Sequence, residues 1–373
     1  MRKKVLFLIH DLGGGGAEKV LVNLVNHLNK DRFEVHVVSI FGNGVNENFL
    51  SDEVHYSYVW KKPFPGNSRI LKLIPASILH KWCVRKKYDV EIAYLEDICA
   101  KIISGGSDNH TKRICWVHTD LHHPRVSARG FKNFEESEMA FESFDRIVCV
   151  SDTVRKDFLV LYPRVKNAVI CYNTLETEKI LSLKDEPIED VDFKSQEIKL
   201  IAVGKITKNK GFDRLAFIVK RLCEEKYPIH LYALGIGPDQ KNIEAYIEKN
   251  GIREQYTFLG YQNNPYKFIA ASDLFVCASL AEGFSTAATE ALIVGTPVCT
   301  VEVSGMKEML GANNEWGIVS ENNDESLYLE IKSLLDDPNK LKYFKKRAEE
   351  RGQMFSTENT VRAVEDLLED VLT

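Results

Sequence analysis

Two glutamates eight positions apart are the strongest candidates for chemistry in this sequence. Glu282 and Glu290 lie in the segment Ala281–Leu292, where small or apolar residues surround both, and the segment follows the strand-like run Leu274–Cys277. If a helix begins after Glu282, that carboxylate can reach over the helix amino end while Glu290 projects from its flank. The backbone amides of Phe284–Thr286 then point at the same place, where phosphate oxygens commonly bind. Glutamate pairs on helices are usually solvated, but this environment favours a functional site.

A lysine-rich turn is the second candidate. The segment Gly204–Gly211 follows the strand-like run Leu200–Val203, carries three lysines beside two glycines, and leads into a helix-like stretch. Ammonium groups close to glycine backbone suit a diphosphate. Lysines on loops are equally often solvated surface charges, so this turn alone leaves both interpretations open.

A glycine-rich turn near the start of the chain is the third candidate. Gly13–Gly16 follow the strand-like run Val5–Ile9 and precede a helix, and such glycines let backbone amides approach an anion. The dinucleotide pattern G-x-G-x-x-G fails, because Glu18 and Lys19 occupy its third glycine position in the two possible registers. The second strand-like run supplies no acidic residue for a ribose, and the P-loop pattern is absent. A nicotinamide enzyme and a P-loop protein are therefore disfavoured.

A single histidine completes the set. His118 ends the strand-like run Arg113–Val117. Lone histidines are more often structural, but ligands of open parallel sheets bind at the carboxyl ends of strands. His118 is therefore a candidate for the same site.

The elements that must position these residues alternate between short Val/Ile-rich runs and helix-like stretches, which is typical of parallel βαβ units. The strand-like runs are 5–9, 35–40, 90–95, 113–117, 146–150 and 168–171, then 199–203, 230–234, 257–259, 274–277 and 298–301. The acidic, proline-containing segment Ser182–Lys194 separates the two series and is typical of a linker. A length of 373 residues also favours two domains. We expect an α/β protein with two doubly wound domains, residues 1–180 and 181–355. A C-terminal helix at 356–373 should pack back on the first domain, and the ligand site should lie in the crevice between the domains.

With these motifs in this order, the sequence resembles the family 4 glycosyltransferases, which are retaining enzymes of the GT-B fold. The resemblance covers nearly the whole chain. It rests on Gly15-Gly16-Ala-Glu18, on Trp116-Val-His118, on Gly204-Lys205 with Lys210-Gly211, and on Glu282-x7-Glu290. It implies two Rossmann-like domains that face each other across a cleft, as in bacterial capsule, exopolysaccharide and O-antigen glycosyltransferases.

The resemblance also implies a role for each matching position. Glu282, facing the donor sugar, and His118, near the reacting sugar, are the predicted catalytic residues. The predicted donor-binding residues are Gly15, Gly16, Gly204, Lys205, Lys210, Gly260, Tyr261, Gly283, Phe284, Ser285, Thr286 and Glu290. Among these, the two lysines would hold the diphosphate, Glu290 the ribose hydroxyls, and the base would lie near Gly260 and Tyr261. The family often has arginine at the position of Lys205, which keeps the charge but not the bidentate fork.

The implied reaction transfers a hexose or N-acetylhexosamine, with retention, from a nucleotide-sugar, which we interpret as a UDP-sugar. The implied acceptor is a glycan or a lipid-linked molecule in the synthesis of a bacterial surface polysaccharide. We expect no cofactor and no metal, because lysines and helix-end amides can stabilise the departing diphosphate. The D-x-D match Asp190-Val-Asp192 lies in the acidic linker. A nucleotide-sugar epimerase of the same fold and a non-catalytic nucleotide-sugar-binding protein are the alternatives.

Composition constrains the partners. The net charge of −5 gives no overall attraction to nucleic acid, and no run approaches the roughly 20 apolar residues that span a bilayer. The amino terminus reads as a strand rather than a signal peptide, and the eight cysteines show no CxxC pair, so we expect reduced thiols in the cytoplasm. Residues 60–88 mix basic, aromatic and aliphatic side chains without an acidic residue. They indicate peripheral contact with an anionic membrane on its inner face, or else a basic face packed on its own domain.

Overall fold

The computed structural model describes residues 2–119, 128–189, 193 and 197–373. The chain divides into two compact units: unit 1 comprises Met1–Leu175 with Thr357–Thr373, and unit 2 comprises Glu176–Ser356. The boundary predicted between 180 and 181 falls inside a helix of unit 2, Thr177–Leu183. Asp190 and Asp192 of the predicted linker lie outside the described residues.

Unit 1 is built on a seven-stranded parallel sheet. Its strands in chain order are β1 (Lys3–Ile9), β2 (Phe33–Phe41), β3 (His55–Trp60), β4 (Val90–Ala93), β5 (Lys112–Val117), β6 (Arg146–Cys149) and β7 (Ala168–Ile170). They lie in the order β3-β2-β1-β4-β5-β6-β7. The order reverses between β1 and β4, so the loops after these two strands flank the place where such sheets bind ligands.

The helices of unit 1 cover this sheet. Those in its first segment are α1 (Gly16–His27), α2 (Asn67–Leu73), α3 (Ala76–Cys83), α4 (Ile98–Ser104), α5 (Phe134–Glu142) and α6 (Asp152–Leu161), with a 3-10 turn at Val45–Phe49. In α1 the apolar residues recur at helical spacing, and Val20, Leu21, Leu24 and Val25 are all buried. That buried face fixes the direction in which the Gly13–Gly16 turn leaves β1.

Unit 2 repeats the plan with a six-stranded parallel sheet in the order β10-β9-β8-β11-β12-β13. Its strands are β8 (Ile198–Val203), β9 (Ile229–Leu234), β10 (Tyr256–Gly260), β11 (Leu274–Cys277), β12 (Val298–Val301) and β13 (Ile318–Ser320). Its helices are α7 (Thr177–Leu183), α8 (Phe212–Glu224), α9 (Gln240–Lys249), α10 (Tyr266–Ala270), α11 (Thr286–Val294), α12 (Met306–Leu310), α13 (Asp324–Asp336) and α14 (Pro338–Gly352). The order reverses between β8 and β11, the two strands that precede the lysine-rich turn and Glu282.

The last helix, α15 (Thr357–Leu372), belongs to unit 1 although it follows the whole of unit 2 in sequence. Glu365 on this helix accepts a hydrogen bond from the Asn29 amide at 2.7 Å and one from the Arg32 guanidinium at 2.8 Å. Its apolar face, which includes Val364 and Leu368, is buried. These contacts attach the end of the chain to the loop that follows α1.

The predicted two-domain parallel architecture is confirmed, and each predicted strand-like run coincides with an observed strand to within a few residues. Two strands were missed. β13 has three residues, too few for a pattern. β3 lies at the sheet edge, and its residues are mostly exposed or half-buried, so it lacks the apolar run by which central parallel strands are recognised.

Residues 60–88 form a turn and two short helices rather than one long helix. α2 ends at Leu73, and Pro75 directly precedes α3, as expected because proline interrupts a helix interior. Within the described part of the chain, no helix combines the length and apolarity needed to cross a bilayer.

Candidate active site

The lysine-rich turn of unit 2 is held in place by close backbone contact. β8 ends at Val203, and Gly211 adopts a positive φ of 67° before α8 begins. A Cβ on Gly211 would lie 2.1 Å from the carbonyl oxygen of Ala278, so only glycine fits there. The turn is therefore pressed against the loop that follows β11, where Glu282 lies.

Glu282 is bound from two sides. Its Oε1 accepts a hydrogen bond from Lys210 Nζ at 2.6 Å and another from the hydroxyl of Ser279 at 2.7 Å. The Glu282 side chain is 10% exposed and that of Lys210 31% exposed. A half-buried ion pair with a further hydrogen bond restricts the carboxylate to one position.

Backbone contacts join the two loops beside this ion pair. The Leu280 amide donates to the Asn209 carbonyl at 2.7 Å, and the Asn209 side-chain amide donates to the Ala281 carbonyl at 3.1 Å. Both loops follow strands that are neighbours in the sheet, β8 and β11. The Lys210–Glu282 contact is thus fixed by the sheet rather than by two flexible side chains alone.

The amino end of α11 follows Glu282. Ser285 is the N-cap, and its hydroxyl accepts the Ala288 amide at 3.3 Å. The Thr289 hydroxyl donates to the Ser285 carbonyl at 2.9 Å. A Cβ on Gly305 would lie 2.8 Å from the Gly283 carbonyl oxygen, so the turn before α12 closes on this segment. The first amides of a helix have no intrahelical acceptor, and the helix dipole adds positive potential there, so this end suits an anion.

Glu290 lies within α11 and is buried, with 4% of its surface exposed. The predicted base-binding residues are placed differently. Gly260 has a positive φ of 68°, and among the described residues other than its chain neighbours none comes within 4 Å of the place where a Cβ would stand. Tyr261 is 70% exposed. The Gly235 amide donates to the Gly260 carbonyl at 2.8 Å, and a Cβ on Gly235 would lie 1.9 Å from the Gly204 carbonyl oxygen. The ends of β8, β9 and β10 therefore lie side by side.

In unit 1, His118 is held by a buried carboxylate that the sequence analysis missed. Glu96, 7% exposed, accepts the His118 backbone amide at 3.1 Å and also accepts the Thr119 hydroxyl. Burial raises the pKa of the Glu96 carboxyl, and these two hydrogen bonds oppose the shift. The one signal in the sequence was its position, since Glu96 lies in the loop directly after β4.

The His118 ring lies 4.8 Å from the Tyr94 ring, centroid to centroid. Burial lowers the pKa of His118 to about 3, and a hydrogen bond with the Tyr94 backbone opposes the shift. His118 is therefore neutral at pH 7. Its Nε2 is inaccessible to solvent and has no hydrogen-bond partner among the described residues, which exclude the neighbouring positions 120–127.

The glycine-rich turn of unit 1 lies among acidic groups. Asp11 accepts the Gly13 amide at 2.7 Å and pairs with His10 Nδ1 at 2.7 Å. The hydrogen bond with Asp11 raises the pKa of His10, and the same bond lowers the pKa of Asp11. Gly15 is the N-cap of α1, and a Cβ there would lie 2.1 Å from Glu18 Oε2. Burial raises the pKa of Glu18.

The structure thus brings Lys210 and Glu282 into contact and places Gly204, Gly283–Thr286 and Glu290 on the adjoining turns and helix of unit 2. Lys205 is exposed on the same turn as Lys210. Gly15, Gly16 and His118 belong to unit 1. Ser279 and Asn209, which secure Glu282 and its loop, were not predicted, because serine and asparagine in a loop carry no recognisable signal.

Two family models match the chain, one for each half. "Glycosyltransferase Family 4" matches residues 14–179, and "Glycosyl transferases group 1" matches residues 184–351. Together they cover the glycine-rich turn from Gly14, His118, the lysine-rich turn, Glu282 and Glu290.

Proteins similar over the full length are also known. The chain is 26% identical over 380 residues to N-acetylgalactosamine-N,N'-diacetylbacillosaminyl-diphospho-undecaprenol 4-alpha-N-acetylgalactosaminyltransferase of Campylobacter jejuni, covering 99% of this chain and 100% of that protein. Among solved structures, Anabaena Alr3699/HepE in complex with UDP-glucose superposes with a TM-score of 0.78 at 17% identity, covering 99% of this chain and 100% of that one. Sucrose-phosphate synthase of Thermosynechococcus elongatus superposes with a TM-score of 0.77 at 14% identity, covering 99% of both chains.

Proposed function

The chain belongs to the family 4 glycosyltransferases and has the GT-B fold, and from that premise we propose that it transfers a hexose or N-acetylhexosamine, with retention, from a UDP-sugar. The acceptor in this proposal is a glycan or a lipid-linked molecule in the synthesis of a bacterial surface polysaccharide. The observation that carries the proposal is the contact of Glu282 with Lys210 and Ser279 at the ends of β8 and β11. A carboxylate fixed beside a lysine and a helix amino end can face a sugar while its neighbours bind a diphosphate.

In this proposal the bond between the anomeric carbon and the diphosphate oxygen breaks, and its electron pair passes to that oxygen. Lys210, Lys205 and the amides at the start of α11 stabilise the added negative charge, so no metal or other cofactor is required. The acceptor hydroxyl bonds to the anomeric carbon on the same face and gives its proton to the departing phosphate. Glu282 stabilises the positive charge that develops on the sugar ring.

The donor side follows from the same residues. Glu290 binds the ribose hydroxyls, and the base lies near Gly260 and Tyr261. The UDP preference is supported by the similar Anabaena protein, whose structure is a complex with UDP-glucose. The N-acetylhexosamine alternative is supported by the name of the Campylobacter relative, an N-acetylgalactosaminyltransferase.

The acceptor side rests on two observations. The name of the Campylobacter relative describes an acceptor with a diphospho-undecaprenol group, which is a lipid. In this chain, α2 and α3 expose four large apolar side chains, namely Ile70, Leu73, Ile78 and Trp82. Leu73 is 72% exposed and Trp82 45% exposed.

The same stretch of sequence also exposes seven basic side chains: Lys61, Lys62, Arg69, Lys81, Arg85, Lys86 and Lys87. We call residues 60–88 the basic–apolar surface. Apolar side chains that enter the headgroup region among lysines and arginines are typical of peripheral binding to anionic lipid. The enzyme then works on the cytoplasmic face of the cell membrane, where a lipid-linked acceptor is presented.

Donor identity is tested with the intact protein and a panel of nucleotide-sugars. The true donor stabilises the folded state by mass action and raises the melting temperature most. With that donor, UDP release that depends on added acceptor supports a transferase, whereas conversion of the donor without acceptor identifies an epimerase. Binding without either reaction identifies a non-catalytic protein. The anomeric configuration of the product, measured by NMR, decides whether transfer is retaining.

Membrane contact is tested by flotation with vesicles that contain anionic lipid, at low salt. Leu73→Ser and Trp82→Ser should each reduce the bound fraction, since both remove apolar surface from the proposed contact. Met139→Ser and Val160→Ser are matched controls, because these side chains are exposed elsewhere in unit 1. Equal loss in all four variants, or no flotation of the unmodified chain, excludes this surface as the contact.

A further inference from the structure

Three potential metal ligands lie together near the amino ends of strands in the sheet of unit 1, whereas Gly15, Gly16 and His118 follow the carboxyl ends of its strands. Glu34 and His36 are two positions apart on β2, so their side chains project from the same face of the strand. His55 begins β3 and pairs directly with His36 in the parallel register. Neighbouring strands thus bring two imidazoles and a carboxylate to one place.

The distances are short. Glu34 Oε1 lies 2.9 Å from His36 Nε2, and the two histidine rings stack with centroids 4.6 Å apart. One ligand atom from each of Glu34, His36 and His55 lies within 4.8 Å of the other two. Ligands about 2.0 to 2.2 Å from a tetrahedral ion are separated by a little over 3 Å, so a modest rotation of the exposed His55 side chain completes the set.

In this cluster the His36 ring is held in place by packing, whereas the His55 side chain is free to adjust. His36 is buried, with 5% of its surface exposed, and its ring packs against the edge of the Tyr88 ring at a centroid distance of 5.1 Å. β3 is the edge strand, so His55 faces solvent and leaves an approach for an ion. Two packed ligands and one exposed ligand permit binding without rearrangement of the sheet.

A lysine competes with a cation at this place. Lys4 Nζ lies 3.6 Å from Glu34 Oε1, but the Lys4 side chain is 51% exposed and can turn into solvent. A solvent-exposed ion pair of this kind contributes little to stability, so its loss is small beside direct metal coordination.

We propose that Glu34, His36 and His55 form a binding site for one divalent transition-metal ion of the zinc class, with water in the remaining coordination position. Imidazole nitrogens with one carboxylate suit Zn²⁺, Ni²⁺ and Cu²⁺ better than Mg²⁺ or Ca²⁺, which prefer oxygen ligands. The ion links the edge strand β3 to β2. Because β3 ends at Trp60, where the basic–apolar surface begins, the ion also stabilises the base of that surface. The site takes no part in sugar transfer, and it stands or falls independently of the proposed function.

The experiment uses the full-length chain after dialysis against chelator. Titration with ZnCl₂ in a calorimeter should show one saturable site, and Zn²⁺ should raise the melting temperature through mass action. His55→Ala and Glu34→Gln should each weaken Zn²⁺ binding by more than about tenfold and abolish the thermal shift. His55 is exposed, and Gln preserves the shape of Glu34, so neither change removes a core contact. His110→Ala, an exposed histidine elsewhere in unit 1, is the matched control and should behave as the unmodified chain.

Co²⁺ provides a second measurement. Substitution should give the intense visible bands of a four-coordinate ion in the unmodified chain and in His110→Ala, but not in His55→Ala. No saturable Zn²⁺ binding by the unmodified chain would mean an ordinary surface cluster. Binding of unchanged strength in both His55→Ala and Glu34→Gln would place the ion elsewhere. Either result overturns the proposal.

Discussion

The turn after β1 and the turn after β8 are built alike but have different charged neighbours. Both follow a central strand of a parallel sheet, both contain glycines, and both lead into a helix with a buried apolar face. In unit 2 the turn carries Lys205, Lys208 and Lys210. In unit 1 the corresponding turn lies beside Asp11 and Glu18.

The glycines also serve different purposes. In unit 2, Gly211 lets the turn approach the carbonyl of Ala278 and so brings Lys210 to Glu282. In unit 1, the absence of a Cβ on Gly15 leaves room for the carboxylate of Glu18. A glycine pattern therefore reports a close approach of backbone, whereas the neighbouring side chains decide which ligand is favoured there. The prediction that Gly15 and Gly16 help to bind the donor diphosphate stays a prediction, and the acidic neighbours work against it.

The largest effect should come from Glu282. We expect Glu282→Gln to lower kcat by roughly 100- to 1000-fold, because the amide cannot stabilise positive charge on the sugar ring. The amide keeps its shape and can still contact Ser279, so the Kd for UDP should change little. Steady-state kinetics and calorimetry with UDP measure the two quantities.

Glu224→Gln on the exposed side of α8 is the control, and it should leave both quantities unchanged. Near-normal kcat in Glu282→Gln would refute the assignment of Glu282 as a catalytic residue.

A smaller effect, on the affinity for UDP, should distinguish the lysines in the turn after β8. We expect Lys210→Met to weaken UDP binding by roughly 10- to 100-fold, which corresponds to the loss of a hydrogen bond between charged groups. Lys208→Met, on the same turn and exposed, should cost less than about twofold. Calorimetric Kd values for the two variants make the comparison.

Lys210→Met also leaves Glu282 without its ion-pair partner, which could weaken binding indirectly. Combining it with Glu282→Gln separates the two causes, since the loss of affinity should persist in the double variant if Lys210 binds phosphate directly. Equal weakening by Lys208→Met and Lys210→Met would show a diffuse charge effect in place of a defined contact.

A substitution in the turn after β1 should distinguish two possible roles of that turn. If it binds diphosphate, Glu18→Gln removes a repulsive carboxylate and should tighten UDP binding. From the acidic environment we expect instead that UDP affinity changes less than about twofold while the KM for the acceptor rises, because Glu18 and Asp11 suit groups that donate hydrogen bonds, such as sugar hydroxyls. Measuring both constants for Glu18→Gln, with Glu53→Gln in an exposed loop of unit 1 as control, decides between the two roles.

The fold was predictable because central parallel strands are apolar along their whole length, as in β1 and β8, and because helix α1 shows a regular apolar face. The edge strand β3 was not predictable, since its side chains are largely exposed. The roles of Glu282 and Lys210 stay predictions, and the contact between them could not be predicted, because it depends on β8 and β11 being neighbours, which motif spacing does not encode. Glu96 was missed because a buried carboxylate is indistinguishable in sequence from a loop residue.

The last effect concerns the charge state of His118 in unit 1. Burial lowers the pKa of His118 from 6.5 to about 3, so the folded state disfavours the protonated ring and the unfolded chain binds more protons between these values. Stability should therefore fall as the pH drops from 6.5 towards 3, and between pH 7 and pH 5 this contribution amounts to at most about 2 kcal/mol. His118→Gln removes the titrating group, so the free energy of unfolding of this variant, measured with urea, should fall less over that pH interval than that of the unmodified chain. His110 is exposed, so the free energy of unfolding of His110→Gln should fall as much as that of the unmodified chain. Equal losses in His118→Gln and the unmodified chain would mean that His118 can be charged in the folded state.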